Sequence, residues 1–435
     1  MESDSSSASI PIGTQAIRKA RLRILPFVFL LFVVALLDRV NIGFAALTMN
    51  QELAISSQQF GLVFGLFFFG YFLLEIPSNL LLHKLGARVW IARILISWGI
   101  VAMLTGFVHT VHQLYIVRFL LGLAEAGFFP GMALYLTYWF PEREQARALA
   151  LLIAAIPVTT ILGAPLSGLI LDHVHWLSLS SWRWLLILEG APAIVCGALT
   201  YYLLPDRPAA ARFLSATERE WIRAEVALEE QQKLAQHQYS VLQALASGRV
   251  WHLALTYFGL MIGLYALQSW TPQLVKSLSS LYSNSTIGLL VMIPNLVGLA
   301  AMIVVSRNSD RKLERRYHVA IPAIVAAAAL ALLGATRSPL YSVMLLSLAA
   351  AGIYSLLGPF WTLPGEFLTG FSAAAGIALI NSIGNLGGFA GPYMIGTIAM
   401  KTGNLYAGLA TAGFALFVSA VLVLLLPRKA TRDAR

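Results

Sequence analysis

The sequence predicts an all-α integral membrane protein with twelve transmembrane helices in two pseudo-symmetric halves of six. The first reason is composition: 58% of the 435 residues are hydrophobic and only 11% are charged, whereas about 25% of the residues in a soluble domain are charged. The second reason is that apolar runs of about 18 residues or more, long enough to cross a bilayer as helices, recur along the whole chain. The third is that the two halves of the chain contain similar short segments at equivalent positions.

The predicted spans are numbered in chain order, and their limits are 24–47, 59–82, 89–108, 113–137, 147–171, 183–204, 251–274, 286–305, 319–335, 340–362, 372–399 and 405–427. Residues 1–22 form a polar, Ser-rich tail without the apolar stretch of a cleaved signal peptide, so span 1 is expected to be a retained start-transfer helix. The two six-helix halves are predicted at 23–204 and 251–427, and residues 428–435 form a short tail. The connection at 205–250 is polar, with mixed charges at helical spacing that predict a surface helix.

Basic residues are distributed unevenly along the chain, which has a net charge of +10. If the N-terminus is cytoplasmic, 24 of the 30 Lys and Arg residues are assigned to the cytoplasmic segments with the adjoining span ends, and 3 to the outer loops; the other three are Arg39, Arg118 and Arg183, within or at the edge of spans. This bias predicts a multi-pass plasma-membrane protein with both termini and the central connection in the cytoplasm. The basicity therefore sets the topology. A nucleic-acid partner is not expected, because no basic stripe carries interleaved aromatic residues.

The chain has a single cysteine, Cys196, within span 6. One cysteine excludes a disulfide within the chain and a Cys metal cluster. We therefore expect no metal and no other cofactor.

Segments at equivalent positions of the two halves are similar, which indicates an internal repeat. The loop after span 2 contains "HKLGAR" and the loop after span 8 contains "NSDRKLERR". Span 5 contains "GAPLSG" and span 11 contains "GPYMIG", while "WFPEREQARALA" follows span 4 and "WTLPGEFLTGFSAAAGIAL" follows span 10. The glycines and prolines inside the spans fit either close helix packing or helices that bend as the halves rock.

Ionisable residues lie inside several predicted spans, at Asp38, Arg39, Glu75, Arg118, Glu125 and Glu189. Such a residue at the centre of a transmembrane helix costs about 2.5–3.5 kcal/mol, so these side chains must face the interior of the bundle. There they would pair with each other or with a ligand. An ion-pair network that only holds helices together is the structural alternative.

Helical geometry constrains where these side chains point. Arg118 and Glu125 are seven residues apart on one face of span 4, separated by about 10 Å, which suits two positions lining one cavity. Asp38 and Arg39 are neighbours whose side chains diverge by about 100°. One arrangement sends Arg39 to the cavity and Asp38 to the wall between spans 1 and 4.

Other polar side chains lie within the spans and fit either helix–helix hydrogen bonds or ligand contacts. They are Tyr71 in span 2, Gln268 and Trp270 in span 7, Asn295 in span 8, Trp361 and Thr362 at the end of span 10, and Asn381 and Asn385 on one face of span 11. Glu75 is interpreted as a structural or gating residue. Arg183 and Glu189 lie near the outer end of span 6, where a topological or gating role is favoured over substrate binding.

Motifs along nearly the whole chain, from Arg21 to Pro427, resemble the major facilitator superfamily. The segments "LDRVNIGFAAL", "GYFLLEIPSN…KLGAR", "RFLLGLAEAGFFPG", "TYWFP" and "GIALINSIGNLGGFAGPY" are similar to those of its anion:cation symporter family, and within it to bacterial tartrate-type permeases. The resemblance implies the major facilitator fold. It also implies proton-coupled uptake of an organic anion, such as tartrate, a sugar acid or another carboxylate, by alternating access.

The resemblance also implies roles for individual residues. Asp38 and Glu125 would carry protons, since burial favours the neutral form of an acid. Arg39 offers a planar, permanently charged guanidinium to a carboxylate. The resemblance also implies substrate binding by Arg118, Tyr71 and Asn385. The remaining substrate-binding candidates come from the polar side chains of the spans themselves: Gln268, Asn295, Trp361, Thr362 and Asn381. The partners would be a small organic anion, protons and the lipid bilayer, with the protein acting as a monomer.

The loop between spans 2 and 3 departs from the superfamily pattern. Its usual Asp-Arg core is replaced by His83-Lys84, whereas the second-half copy keeps Asp310-Arg311. We therefore expect the first-half loop to lack the charge contact to a neighbouring helix end. The gating candidates are Lys84, Arg88, Asp310 and Arg311.

Two other classes of function compete with anion uptake. A proton-driven exporter of drugs or metabolites could use the same fold, and "GAPLSG" loosely resembles the antiporter signature of span 5. Two buried arginines favour anions over cationic or neutral drugs. A membrane enzyme is the remote alternative, because the chain shows no nucleophile with an adjacent base, no metal cluster and no phosphate loop.

Overall fold

The computed structural model describes residues 11–235, 246–336, 338–366 and 370–426. Eleven helical segments within these ranges are long and apolar enough to cross a membrane. The predicted eleventh span falls on two consecutive helices, which meet at Leu386. The predicted fold class is confirmed.

The helices fall on the predicted spans, although the helix of span 1 begins at Ile12, twelve residues earlier than predicted and within the predicted tail. Spans 1 to 6 consist of Ile12–Glu52, Ser57–Leu85, Ala87–Thr105, Val111–Glu125 followed by Phe128–Thr137, Glu142–His173, and Ser181–Leu203. Spans 7 to 12 consist of Gly248–Leu278, Asn284–Lys312, Arg316–Leu332, Pro339–Ser355 followed by Leu357–Thr362, Gly370–Asn385 followed by Gly387–Thr402, and Leu405–Leu425.

Two helix interruptions lie beside predicted site residues. Span 4 breaks immediately after Glu125, where Gly127 has a φ of 83°, a left-handed conformation that glycine adopts without steric cost. Span 11 breaks immediately after Asn385. Each interruption ends a helix next to a polar side chain in the centre of the bundle.

The connection between the halves contains the helix Ala216–Ala235, which confirms the predicted surface helix. Lys19 Nζ lies 2.7 Å from Glu218 Oε1, and the backbone N–H of Glu142 donates to Glu229 Oε2 at 3.0 Å. The connecting helix therefore contacts the start of span 1 and the start of span 5. We call the face of the bundle that carries the connecting helix the N-terminal face, and the other the opposite face.

The two halves pack tightly against each other near the opposite face. The Asp172 carboxylate at the end of span 5 accepts hydrogen bonds from the backbone N–H groups of Asn284 at 3.1 Å and Ser285 at 2.7 Å. A Cβ added at Gly288 would lie 3.0 Å from the carbonyl carbon of Ala164. Spans 5 and 8 therefore meet backbone to backbone, and the opposite face is closed.

The expectation that the first-half loop lacks a charge contact was wrong. The backbone N–H of Arg88 donates to Asp206 Oδ1 at 2.7 Å, and Arg88 Nε lies 3.7 Å from Asp206 Oδ2. Asp206 follows span 6. Arg88 therefore makes the charge contact to a neighbouring helix end that we did not expect from a loop with His83-Lys84 at its core. Lys84 itself is exposed.

The second-half loop makes a similar connection with a different residue. Asp310 pairs with Arg315 within the loop at 2.6 Å, and Arg311 is exposed. Arg316 donates to the carbonyls of Val423, at 3.3 Å, and Leu424 at the end of span 12. In each half, an arginine that follows the loop after the second span thus contacts the end of the last span of that half.

Candidate functional site

Arg39 and Glu125 form an ion pair in the centre of the bundle. Arg39 donates to Glu125 Oε1 from Nε at 2.9 Å and from Nη2 at 2.5 Å. The Glu125 side chain is 0% exposed and that of Arg39 is 14% exposed. The pair joins span 1 to the end of the first helix of span 4, and Arg39 remains accessible on one side.

That accessible side faces a small cavity of about 70 Å³. Five predicted substrate-binding residues line it: Arg39, Tyr71, Trp361, Asn381 and Asn385. The rest of the wall is apolar or aromatic, formed by Phe32, Leu36, Phe129, Ile153, Ile156, Tyr257, Met261, Leu264, Tyr265 and Leu357. Arg39 is the one charged residue among these, so the cavity offers one cation with two amides and three phenols to a ligand.

Aromatic rings cover the guanidinium groups beside the cavity. The Arg39 guanidinium carbon lies 5.2 Å from the centre of the Phe67 ring and 5.3 Å from that of Tyr71. The Arg118 guanidinium carbon lies 5.3 Å from the same Phe67 ring. Arginine binds aromatic faces well because its guanidinium is planar and weakly hydrated. Phe67 therefore contacts two cations at once.

Arg118 is buried and does not line the cavity in this conformation. Its side chain is 2% exposed, and its Nε donates to the carbonyl of Val63 at 3.4 Å. The expectation that Arg118 and Glu125 line one cavity is therefore wrong for this state, since both side chains lie within the protein wall. A role for Arg118 in substrate binding remains a prediction.

Asp38 points away from the cavity, as expected, but toward a different neighbour. Trp98 Nε1 donates to Asp38 Oδ2 at 2.7 Å, and Asn41 Nδ2 donates to Asp38 Oδ1 at 3.0 Å. Trp98 belongs to span 3, so the predicted position in the wall between spans 1 and 4 was wrong. Span 3 occupies the side of span 1 that lies about 100° around the helix from Arg39.

Gln268 and Asn295 are not part of the same cavity. They line a second, smaller cavity of about 10 Å³ together with Val40, Phe44 and Thr160. Asn295 Oδ1 accepts a hydrogen bond from the Tyr354 hydroxyl at 2.7 Å. Both residues therefore contribute to helix contacts here, and their predicted role in substrate binding is not supported by this conformation.

Thr362 also lies outside the cavity. Its hydroxyl donates to the carbonyl of Pro359 at 2.7 Å, and the residue is exposed. The structure thus separates Thr362 from its neighbour Trp361, which does line the cavity.

Several residues of the site were missed by the sequence analysis. Tyr257, Met261 and Tyr265 are spaced four residues apart in span 7, which places them on one helix face, and all three line the cavity. That spacing was visible in the sequence. Phe67, by contrast, lies in an aromatic run in which nothing distinguishes the ring that contacts the two arginines.

Among the described residues, no group of three His, Cys, Asp or Glu side chains is placed to hold a metal ion. Cys196 is buried and unbonded.

Comparisons with known proteins agree with this architecture. The family profile described as Major Facilitator Superfamily matches residues 28–392. A protein from Agrobacterium vitis described as "Putative tartrate transporter" is 47% identical over 422 residues, which cover 97% of each chain. A "Quinolone resistance transporter" from Acinetobacter baumannii is 38% identical, with 96% of each chain covered.

A solved structure shows the same fold at low sequence identity. The xylose transporter XylE from E. coli, in a partially occluded inward-open conformation, has a TM-score of 0.71 and 16% identity, covering 94% of this chain and 99% of XylE. These relatives are membrane transporters and not enzymes. Together with the profile match, they show that this multi-pass membrane protein belongs to the Major Facilitator Superfamily.

Proposed function

We propose that this protein is a secondary active transporter that takes up an organic anion together with protons by alternating access. The observation that carries the proposal is Arg39. Among the described residues it is the one charged side chain lining the central cavity, and a buried carboxylate, Glu125, binds it from the other side. A carboxylate in the cavity and the Glu125 carboxylate would compete for the same guanidinium.

This competition suggests how a proton and an anion could be coupled. When Glu125 is protonated it loses its negative charge, and Arg39 is then free to bind the carboxylate of a substrate. When the substrate leaves, Arg39 returns to Glu125 and favours its ionised form, so that the proton is released. Substrate and proton would then enter and leave the site together.

The substrate class follows from the same cavity and from the relatives. One guanidinium, the amides of Asn381 and Asn385, and nearby phenols suit a carboxylate that also carries hydrogen-bonding groups. The similarity to tartrate transporters supports a small hydroxy acid of this kind. We propose a bacterial inner-membrane location, with both termini and the connecting helix in the cytoplasm because basic residues concentrate there.

A proton-driven exporter is the second candidate. The similarity to the quinolone resistance transporter favours it, since that relative also spans nearly the whole chain. The two functions differ in the direction of net transport. An exporter would lower substrate accumulation in cells that produce it, whereas the proposed importer would raise it.

The test is an uptake screen in proteoliposomes with tartrate, aldonates, aldarates and aromatic acids, each with and without a pH gradient that is acidic outside. We expect at least one acid to accumulate only when the gradient is present, and collapse of the gradient by an ionophore should abolish accumulation. Uptake that is indifferent to the gradient would contradict symport, and failure of every acid to accumulate would contradict the importer.

The orientation has its own test. In a Cys196→Ser background, a cysteine introduced at Glu220, in the exposed part of the connecting helix, should react with a membrane-impermeant reagent only after cells are permeabilised. Labelling of intact cells would place the connecting helix outside and overturn the orientation.

A further inference from the structure

Glu189 is a buried acid in span 6 that the proposed mechanism does not use. Its side chain is 1% exposed. Ser167 of span 5 donates to its Oε1 at 2.7 Å. Among the described residues, no basic side chain forms an ion pair with it. Arg183, on the same helix, is instead 3.0 Å from Glu52 and donates to the carbonyls of Gly106 and Val108.

Two buried oxygen atoms beside Glu189 have no hydrogen-bond partner. They are Glu189 Oε2 and Asn41 Oδ1, and the Asn41 amide lies close enough to interact with the Glu189 carboxyl group. A buried acceptor without a donor destabilises the fold, because it has given up its hydrogen bonds to water and gained none in return. A proton on Glu189 Oε2 would make that oxygen a donor, and Asn41, on the neighbouring helix, carries an acceptor that lacks one.

Asp38 differs from Glu189 in its hydrogen bonds. Both of its oxygens accept hydrogen bonds, one from Trp98 and one from Asn41, which suits an ionised carboxylate because that form is an acceptor only. Asn41 therefore lies between two acids and donates to one of them. Two carboxylates that share a buried site do not both stay ionised, so a charged Asp38 is consistent with a neutral Glu189.

The charges around these acids balance in that arrangement. The groups that face Glu189 are Asp38 and Asn41 of span 1 and Ser167 of span 5, and Trp98 of span 3 contacts Asp38. Beyond them, Glu125 is matched by Arg39. Arg118 is a second buried cation without an ion-pair partner among the described residues, and its charge offsets that of Asp38. A charged Glu189 would leave one buried negative charge unmatched in this part of the bundle.

We propose that Glu189 is a third proton-binding acid of the transporter, protonated in this conformation and exchanging its proton with Asp38. This inference rests on the proposed proton-coupled function. Transfer of the proton from Glu189 Oε2 to Asp38 leaves one carboxylic acid and one carboxylate in the pair, so the buried charge is unchanged. Glu189 follows the start of span 6 at the opposite face by eight residues, and it therefore lies between that face and Asp38.

Infrared spectroscopy tests the proton directly. We expect the full-length protein, purified at neutral pH, to show the carbonyl band of a protonated carboxylic acid that Glu189→Gln lacks. Ser167→Ala should keep the band and shift it, because the Ser167 hydroxyl donates to the same group. The matched control is Glu220→Gln, since that side chain is 73% exposed and lies in the connecting helix, away from the buried acids.

Transport tests the role. We expect Glu189→Gln to retain counterflow exchange and to lose at least about tenfold in uptake driven by a pH gradient. An unchanged infrared band in Glu189→Gln, with no shift in Ser167→Ala, would overturn the proposal. So would loss of the band with full pH-driven uptake, because the proton would then be a fixed structural one.

The two proposals fail in different ways. If the unsubstituted protein shows no pH-driven uptake, the proposed function is wrong, and with it the coupling role of Glu189. If the unsubstituted protein is proton-driven and Glu189→Gln matches it, only the inference about Glu189 is wrong. Should Glu189→Gln fail to fold, the Ser167→Ala variant still decides: a shifted band and a reduced pH-driven uptake support the proposal, and their absence overturns it.

Discussion

Glu75 in span 2 accepts a hydrogen bond from Asn381 in span 11 at 2.7 Å, although the two residues belong to different halves of the protein. Ser382 donates to the other Glu75 oxygen at 2.9 Å. All three residues are buried. These bonds must break when the halves separate beside the cavity, which fits the interpretation of Glu75 as a gate.

Removal of one donor should weaken this contact. We expect Asn381→Ala to lower the thermal unfolding temperature, since a buried oxygen of Glu75 would lose its donor, which costs about 1–3 kcal/mol. The measurement is thermal unfolding in detergent. Asn385→Ala is the control, because Asn385 lies one turn along the same helix and also lines the cavity. Equal unfolding temperatures for both variants would show that the Glu75–Asn381 hydrogen bond does not contribute to stability.

Replacement of Arg39 by lysine should impair anion binding while the charge is kept. Arg39 binds Glu125 through two nitrogens of a planar group, and lysine cannot reproduce that geometry. We expect Arg39→Lys to weaken binding of the transported acid by at least about tenfold, or about 1.4 kcal/mol. Competition binding on the purified protein measures it, with Arg147→Lys at a surface position as control. An unaltered affinity of Arg39→Lys for the acid would show that Arg39 does not bind the substrate.

Substitution of Glu125 by glutamine should separate binding from coupling. Glutamine resembles the protonated acid permanently, so Arg39 stays free for the substrate. We expect counterflow exchange to survive in Glu125→Gln and accumulation driven by a pH gradient to disappear. Both are measured in the same proteoliposomes. Gradient-driven uptake in this variant would refute the role of Glu125 and make Asp38 the leading proton carrier.

A methyl group at Gly288 should oppose closure of the opposite face. The added Cβ would press against the Ala164 carbonyl and lie 3.1 Å from the Cα of Pro165, and backbone atoms cannot move aside as a flexible side chain can. We expect Gly288→Ala to shift the protein toward a conformation in which spans 5 and 8 separate. The matched control is Gly248→Ala, where an added Cβ meets nothing within 4 Å.

Spin-label distances measure this shift. Labels at positions 51 and 281, both exposed at the opposite face and in different halves, can be introduced in a Cys196→Ser background. The distance should increase in Gly288→Ala and remain unchanged in Gly248→Ala. The same distance in both variants would show that the glycine contact does not control closure.

The connecting helix should loosen in acid. The Lys19 side chain, and then the backbone N–H of Ser215, hold the pKa of Glu218 below its ordinary value of 4.5. A lowered pKa means that the contact stabilises the fold fully above pH 4.5 and is lost as the pH falls through the lower, folded-state value. We expect faster hydrogen exchange in Ala216–Ala235 at about pH 3, after correction for intrinsic rates.

The Glu218→Gln variant provides the comparison for this effect. It removes the titrating group, so its connecting helix should exchange at similar corrected rates on both sides of that range. Glu220→Gln, at an exposed position of the same helix, should behave like the unsubstituted protein. Acid-sensitive exchange that persists in Glu218→Gln would assign the effect to another group.

Most of the fold could be predicted from the sequence because a bilayer imposes length and apolarity on every span. The interruptions of spans 4 and 11 could not. Span 4 was predicted as one helix over 113–137, and its break depends on a single backbone conformation at Gly127. A hydrophobicity pattern does not reveal which residue has a positive φ. Because glycine is common inside these helices, Gly127 could not be told apart from the other glycines.

The candidate site was predictable in part. Charged residues are costly inside a membrane, which marked Arg39 and Glu125 as candidates, and the two side chains form an ion pair with each other. The direction of Asp38 was not predictable, because the rotation of a helix relative to its neighbours is set by packing. The position of Gln268 was not predictable for a related reason: three residues beyond Tyr265 in span 7, it lines the other cavity in this conformation.

The Phe67 ring beside Arg39 and Arg118 has a consequence for the speed of binding. An arginine in water must shed its hydration shell before a carboxylate can bind. Beside Phe67 and Tyr71 much of that shell is replaced by aromatic carbon, so much of the dehydration of the cation takes place when the protein folds. An anion arriving at Arg39 would then shed mainly its own water, and association should depend less on the hydration of the protein than on that of the anion. Strongly hydrated anions would bind slowly and weakly hydrated ones fast, independently of final affinity.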